Sequence, residues 1–103
     1  MSDGLNAKLP GPLLRRLKSM GQLLPPTLMI GKQGLSPEFM RSLDAELEGR
    51  ELVKIKFTAF KAEKKELVKK LALDSSSHLV MRVGNVAVLY RQNSDAAKRR
   101  ISG

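Results

Sequence analysis

The stretch Gly31-Lys32-Gln33-Gly34 holds the residues best suited to chemistry in this 103-residue chain. It follows a short apolar run, Leu28-Met29-Ile30, and precedes helix-starting residues: Ser36 as N-cap, Pro37 at the first helical position and Glu38 in the first turn. Glycine at both ends of a tight turn permits positive φ and a close approach of the backbone to another molecule. The following helix would present unpaired N–H groups and the positive end of its dipole, a seat for phosphate. Backbone amides at 33–36 are the expected donors, and Lys32 at the tip adds a point charge. RNA modules with a GxxG loop clamp the nucleotide backbone with the same parts. A bare GxxG also serves as an ordinary strand-to-helix turn, so the motif needs support from its surroundings. The GxxxxGK[ST] pattern is absent, which removes support for nucleotide hydrolysis.

That support is electrostatic. Nineteen Lys and Arg against ten Asp and Glu leave a net charge of +9, which favours polyanionic partners. Beside the loop, the candidate phosphate contacts are Arg15, Arg16 and Lys18, then Lys54 and Lys56, then Arg91, and finally Lys98, Arg99 and Arg100 near the end of the chain. Each group alone also fits a solvated surface. Lys61, Lys64, Lys65, Lys69 and Lys70, interleaved with Glu63 and Glu66, read as solubilising. The segment with Glu38, Asp44, Glu46 and Glu48 is acidic and should repel phosphate. Phe39, Phe57 and Phe60 fit core or near-core positions, and Tyr90 an apolar hairpin face. No base-stacking platform is therefore predicted, which favours recognition of backbone and shape.

Enzyme chemistry finds few residues to work with. Cysteine is absent and His78 is the one histidine, so thiolate and paired-imidazole sites lack ligands. Asp44 and Glu48, four apart, read as surface carboxylates. Ser75-Ser76-Ser77 beside His78 evokes nucleophile and base, but adjacency is not triad geometry. No apolar run approaches the ~20 residues that span a bilayer. The opening MSDGLNAKLPGP has no apolar segment, and a cytoplasmic protein without cofactor or metal is expected.

The elements that must position the loop follow from spacing. Leu13, Leu14, Leu17 and Met20 mark a first helix that Gly21 and Pro25-Pro26 should stop. Phe39, Met40, Leu43 and Leu47 mark a second, ended by Gly49. Leu52 to Phe57 alternates as a strand, and residues 61–73 form a third helix. Strands 78–83 and 86–91 flank Gly84-Asn85, a type II′ hairpin loop, with Val83 facing Val86, Met81 facing Val88 and Leu79 facing Tyr90. The order α-β-α-β-α-β-β predicts an α/β, α+β sandwich domain with a four-stranded mixed sheet and helices packed on it. Val53, Ile55 and Phe57 should join the apolar hairpin face beneath the helices, leaving Lys54 and Lys56 opposite with Arg82 and Arg91. Residues 1–9 read as a flexible N-terminus, 10–91 as one domain and 92–103 as a basic polar tail.

Three segments together resemble a known family. Leu14-Arg15-Arg16-Leu17-Lys18, Leu28 to Leu35, and Arg50-Glu51-Leu52-Val53-Lys54-Ile55-Lys56 are similar to the CRM domain in its free-standing, YhbY-like bacterial form. Gly84-Asn85-Val86-Ala87-Val88-Leu89-Tyr90-Arg91 matches its GxxxVLYR-type strand. The resemblance runs from about residue 13 to residue 91. Gln33 stands where Asn is common, and Arg50 where His often precedes the second strand. The resemblance implies a fold like the C-terminal domain of translation initiation factor three. It also implies RNA binding through the glycine loop and adjoining basic surface, with Gly31, Lys32, Gln33 and Gly34 as the loop and Lys54 and Lys56 as the strand lysines. Free-standing members associate with precursors of the large ribosomal subunit, and plant organellar relatives use the domain in group II intron splicing. The expected protein is a monomeric, non-enzymatic assembly factor whose partners are that ribosomal RNA and ribosomal proteins. The alternative is a protein-interaction module that docks on a ribosomal protein or an assembly GTPase through the acidic second helix.

Overall fold

A computed structural model describes residues 9–101; apart from Leu9, the stretch expected to be flexible lies outside it. Helix α1 (Gly11–Leu23) leads into strand β1 (Leu28–Ile30), α2 (Pro37–Arg50) and β2 (Leu52–Phe57). A short 3-10 turn (Lys61–Glu63) then opens α3 (Lys64–Asp74), and β3 (His78–Val83) and β4 (Val86–Tyr90) form the hairpin. The four strands make one mixed sheet in the order β1-β2-β4-β3, with β1 parallel to β2 and the other pairs antiparallel.

The expected elements are present, but the layering differs from expectation. Both faces of the sheet are covered. Ile30, Val53, Ile55, Phe57, Ala87 and Leu89 pack beneath Leu43 and Leu47 of α2 and Val68 and Leu71 of α3. Leu52, Val80, Val88 and Tyr90 pack on the other side against Leu17 of α1 and Ile101. The alternating apolar residues of β2 therefore do not share a face with Val88 and Tyr90. The clue is in β4, where Val86 to Tyr90 is apolar throughout; a strand buried on both faces loses its polar alternation. Burying each such aliphatic side chain stabilises the fold by roughly 1.5–3 kcal/mol.

Three local expectations change for related reasons. Leu79 pairs with Leu89 rather than Tyr90, which pairs with His78, because the register shifts between Leu79 and Met81. The extra residue, Val80, is turned into the α1-side cluster. Gly21 does not stop α1 but lies buried within it. A Cβ there would stand 3.2 Å from both γ-methyls of Val88, so the glycine is where the helix touches the sheet. Gly49 does not end α2 either, since the helix runs to Arg50 and stops at Glu51, whose φ is 66° and ψ −39°. The hairpin loop agrees with its expected type, with Gly84 at φ 57°.

Residues 92–101 are docked rather than trailing. Glu51 is fully buried, and its carboxylate accepts the backbone N–H groups of Asn93 (2.6 Å), Arg100 (2.7 Å) and Ile101 (2.9 Å). Burial pushes this carboxyl up, but the three N–H donors and the nearby Arg99 outweigh it and hold the group below its ordinary value. Asn93 Nδ2 donates to the carbonyl of Glu48 at 2.8 Å, and the Ile101 side chain closes the α1-side core.

Candidate nucleic-acid interface

One end of the sheet collects the glycine loop, both following helix starts and the hairpin tip. β1 and β2 are parallel and each leads into a helix, so α2 and α3 both begin at the carboxyl end of the strands. Two positive dipole ends therefore face the same side. The loops are tied together there: the Ile30 carbonyl accepts from Thr58 N (3.0 Å), Thr58 Oγ1 (3.1 Å) and Ala59 N (3.2 Å). Phe57 N–H donates to the Asn85 carbonyl at 2.7 Å, and Lys64 Nζ donates to Asn85 Oδ1 at 3.1 Å.

Within the loop, Gly34 N–H donates to the Gly31 carbonyl at 2.9 Å, forming a tight turn with Lys32 and Gln33 exposed at its tip. Only Gly34 takes positive φ, at 63°; Gly31 does not. A Cβ on Gly31 would find nothing nearer than Thr58 Oγ1 at 3.8 Å. Neither a positive φ nor close packing therefore demands glycine at position 31. Of the amides at 33–36, that of Gly34 is consumed by the turn. Ser36 Oγ accepts from Phe39 N at 3.1 Å, capping α2.

The structure sorts the candidate cations into three groups. Lys32 and Lys56 are exposed, and Lys56 pairs in register with Met29, two residues before Gly31. Lys61, which reads from sequence as solubilising, opens the turn that leads into α3 at the same end and joins them. These residues, with Gly31, Gln33 and Gly34, form the candidate site proper. Arg15, Arg16 and Lys18 are exposed on α1, over the other face of the sheet from α2. Lys98, Arg99 and Arg100 sit at the far end of α2, where Arg100 Nε donates to the Gly49 carbonyl and Arg99 Nε to the Asn93 carbonyl. A helix of 14 residues places that cluster about 21 Å from the loop.

Two of the expected contacts are structural. Lys54 Nζ donates to the Leu24 carbonyl at 2.9 Å, closing the carboxyl end of α1 with a cation. Arg91 lies on the side of α2, not beside Lys54 and Lys56 as expected. It binds Asp44 Oδ1 (2.9 Å), Glu48 Oε1 (3.1 Å) and the carbonyls of Ser75 (2.9 Å) and Asp44 (3.2 Å). The same bonds occupy the acidic helix, whose Glu46 is held by Arg50 (3.1 Å) and by Thr27 Oγ1 (3.0 Å). Ser75 and Ser77 hydroxyls lie 2.7 Å apart and Ser75 donates to the Leu71 carbonyl, while His78 stacks on Tyr90 with ring centroids 6.5 Å apart. The serine run thus closes α3 instead of assembling a nucleophile. Among the described residues, no helix is long and apolar enough to cross a membrane.

Sequence reasoning missed Phe60. It is 41% exposed, not a core residue, and its backbone is left-handed at φ 55° and ψ 36°. That conformation costs a bulky L-residue roughly 1–2 kcal/mol. The ring lies against Gly34, where a Cβ would meet Phe60 Cε2 at 3.5 Å. No local signal marks a phenylalanine for this conformation, so only the assembled loops reveal it.

Comparison with known proteins accords with this geometry. Residues 9–91 match the CRS1 / YhbY (CRM) domain. The probable RNA-binding protein PA4753 of Pseudomonas aeruginosa is 32% identical over 80 residues, 77% of each chain. The probable RNA-binding protein YqeI of Bacillus subtilis is 31% identical over 88 residues, 84% of this chain and 92% of that one. The solution structure of the hypothetical protein SAV1595 from Staphylococcus aureus superposes with a TM-score of 0.73 at 30% identity, covering 92% of this chain and all of that one. The glycine loop, the two helix starts and the final Leu-Tyr-Arg strand all lie inside the matched region, and the chain belongs to the CRS1 / YhbY (CRM) domain family.

Proposed function

We propose that this protein binds RNA without catalysing a reaction, and that its target is the precursor RNA of the large ribosomal subunit during ribosome assembly. The observation that carries the reading is the strand-end surface on which Lys32 stands exposed between Gly31 and Gly34, beside two helix starts. Phosphates approach the open backbone at Gly31, Lys32 and Lys56 neutralise them, and Gln33 adds an amide at the tip. Arg15, Arg16, Lys18 and Lys98 extend the contact along RNA that wraps past the loop. Lys54, Arg99 and Arg100 contribute the field of charges already held in place, and Arg91 keeps β4 against α2. Ribosomal proteins are secondary contacts, and the protein acts in the cytoplasm as a monomer, with no cofactor. The RNA-binding names of the Pseudomonas and Bacillus relatives support this reading. The in-chain pairing of Asp44, Glu46 and Glu48 speaks against docking of a protein through α2.

The test is binding of the purified protein to structured ribosomal RNA fragments across a salt series. Engaging about five phosphates loses roughly a hundredfold in affinity between 50 and 200 mM salt. Lys32→Glu should flatten that slope and weaken binding while the fold stays intact. Full affinity in that variant would remove the loop from the site. Co-sedimentation with large-subunit precursors, absent from mature particles, is the expected cellular result.

A further inference from the structure

We propose that Phe60 is a stacking platform for one unpaired base of the bound RNA, so that the strand-end site takes a nucleotide splayed from its helix instead of a regular duplex. The inference rests on the RNA-binding reading above and deepens it by specifying the state of the nucleotide recognised.

Three observations converge on the ring. First, Phe60 sets an aromatic ring where the backbone is left-handed and where glycine or asparagine would sit with less strain. Second, Phe60 is 41% exposed, so part of its apolar surface remains in water and is open to a partner. Third, it lies beside Gly34 and, with Leu35 and Leu67, lines a shallow apolar recess with Lys70 at its rim. Lys70 itself is 62% exposed and reaches Asp74 at 3.1 Å, leaving ammonium hydrogens for an anion.

The occupant follows from the neighbours. Lys32 lies at the tip of the turn that Gly34 closes, Lys61 follows Phe60 directly, and Lys70 edges the recess. A flat apolar face with cations around it, next to a loop open to phosphate, matches one nucleotide: base on the ring, phosphate on the loop. Stacking on an aromatic side chain tolerates any base, because every base offers a π-face. A paired base cannot reach the ring, since its faces are already covered by its neighbours in the helix. Glycine at position 34 serves both parts, since it permits the turn and leaves room beside the ring.

The experiment compares two RNAs of equal length and charge, one a continuous duplex and the other carrying an unpaired bulge. Phe60→Ala should weaken binding of the bulged RNA between about fivefold and a hundredfold, leave the duplex unchanged, and keep the salt slope of the wild type. Phe60→Trp should bind the bulged RNA at least as tightly as the wild type. The chain contains no tryptophan, so the indole of that variant is a sole reporter, and its fluorescence should be quenched by the bulged RNA and not by the duplex. Equal affinity of Phe60→Ala and wild type for the bulged RNA, with unquenched indole in Phe60→Trp, would overturn the proposal. Lys32→Glu run in parallel separates the two readings: if it weakens both RNAs while Phe60→Ala weakens neither, phosphate docking stands and stacking falls. If neither variant has an effect, RNA binding at this end of the sheet falls with it.

Discussion

The carboxylate of Glu51 and the backbone N–H of Arg100, 49 residues apart in the chain, are joined by a hydrogen bond of 2.7 Å. With Asn93 and Ile101 on the same carboxylate, a single buried side chain fastens the last described segment across the end of α2. That docking carries Ile101 into the α1-side core and sets Lys98, Arg99 and Arg100 at a fixed distance from the glycine loop.

Glu51→Ala should therefore cost much more than a surface change. It strips three N–H groups of their acceptor, and a lost bond to a charged partner is worth about 1.5–3 kcal/mol. Partial rescue by water brings the expected total to about 3 kcal/mol, from a urea melt. Loosening of the segment should also expose the bonds around Lys98 to protease. A loss below about 1 kcal/mol would show that the docked segment contributes little to the fold.

The same carboxylate makes an acid-limb prediction. Its folded-state pKa lies below the ordinary 4.5, so its contribution is fully present above that value and disappears as pH falls through the lowered one. Stability measured from about pH 7 down to about pH 3 should decline more steeply in the wild type than in Glu51→Gln, which has no proton to take up. Parallel curves for the two proteins would contradict the role given to the charge.

Arg91 and Lys32 should separate cleanly in a stability assay. Arg91 is 19% exposed, but its partners Asp44 and Glu48 are 69% and 58% exposed, so solvent screens the pairs. Much of its worth lies in the Ser75 carbonyl bond, and Arg91→Ala is expected to destabilise by about 1–2 kcal/mol. Lys32→Ala should stay within about 0.5 kcal/mol of the wild type. Under native conditions RNA affinity should follow the opposite order, falling with Lys32 and holding with Arg91.

The two loop glycines should differ in kind. Gly34→Ala forces a Cβ into left-handed backbone at φ 63° and should lower stability by about 1 kcal/mol, with no clash to add. Gly31→Ala meets only Thr58 Oγ1, at an ordinary 3.8 Å, and should melt within about 0.5 kcal/mol of the wild type while losing RNA affinity severalfold. A Gly31→Ala protein that binds normally would show that phosphate does not approach there.

The order of the elements and the strand-loop-helix junction were readable from spacing, and the family from the resemblance of four sequence motifs taken together. Helix stripes at three and four residues, the period-two run of Leu52 to Phe57 and the Ser36-Pro37 start are all set by neighbours within one or two turns of chain. The hairpin register was readable only as far as Met81, because the bulge at Val80 answers to what covers the sheet and not to the turn. Which face each strand turns to which helix depended on α1 and Ile101 meeting from opposite ends of the chain. The same holds for the cations: Lys54, Lys56 and Arg91 look alike in sequence. They part only when a carbonyl of Leu24 reaches the first, solvent the second, and Asp44, Glu48 and Ser75 the third. Charge composition determines that a polyanion is attracted. Which charges are free to meet it is decided by long-range contacts, since a side chain is committed or available according to partners that local spacing does not encode.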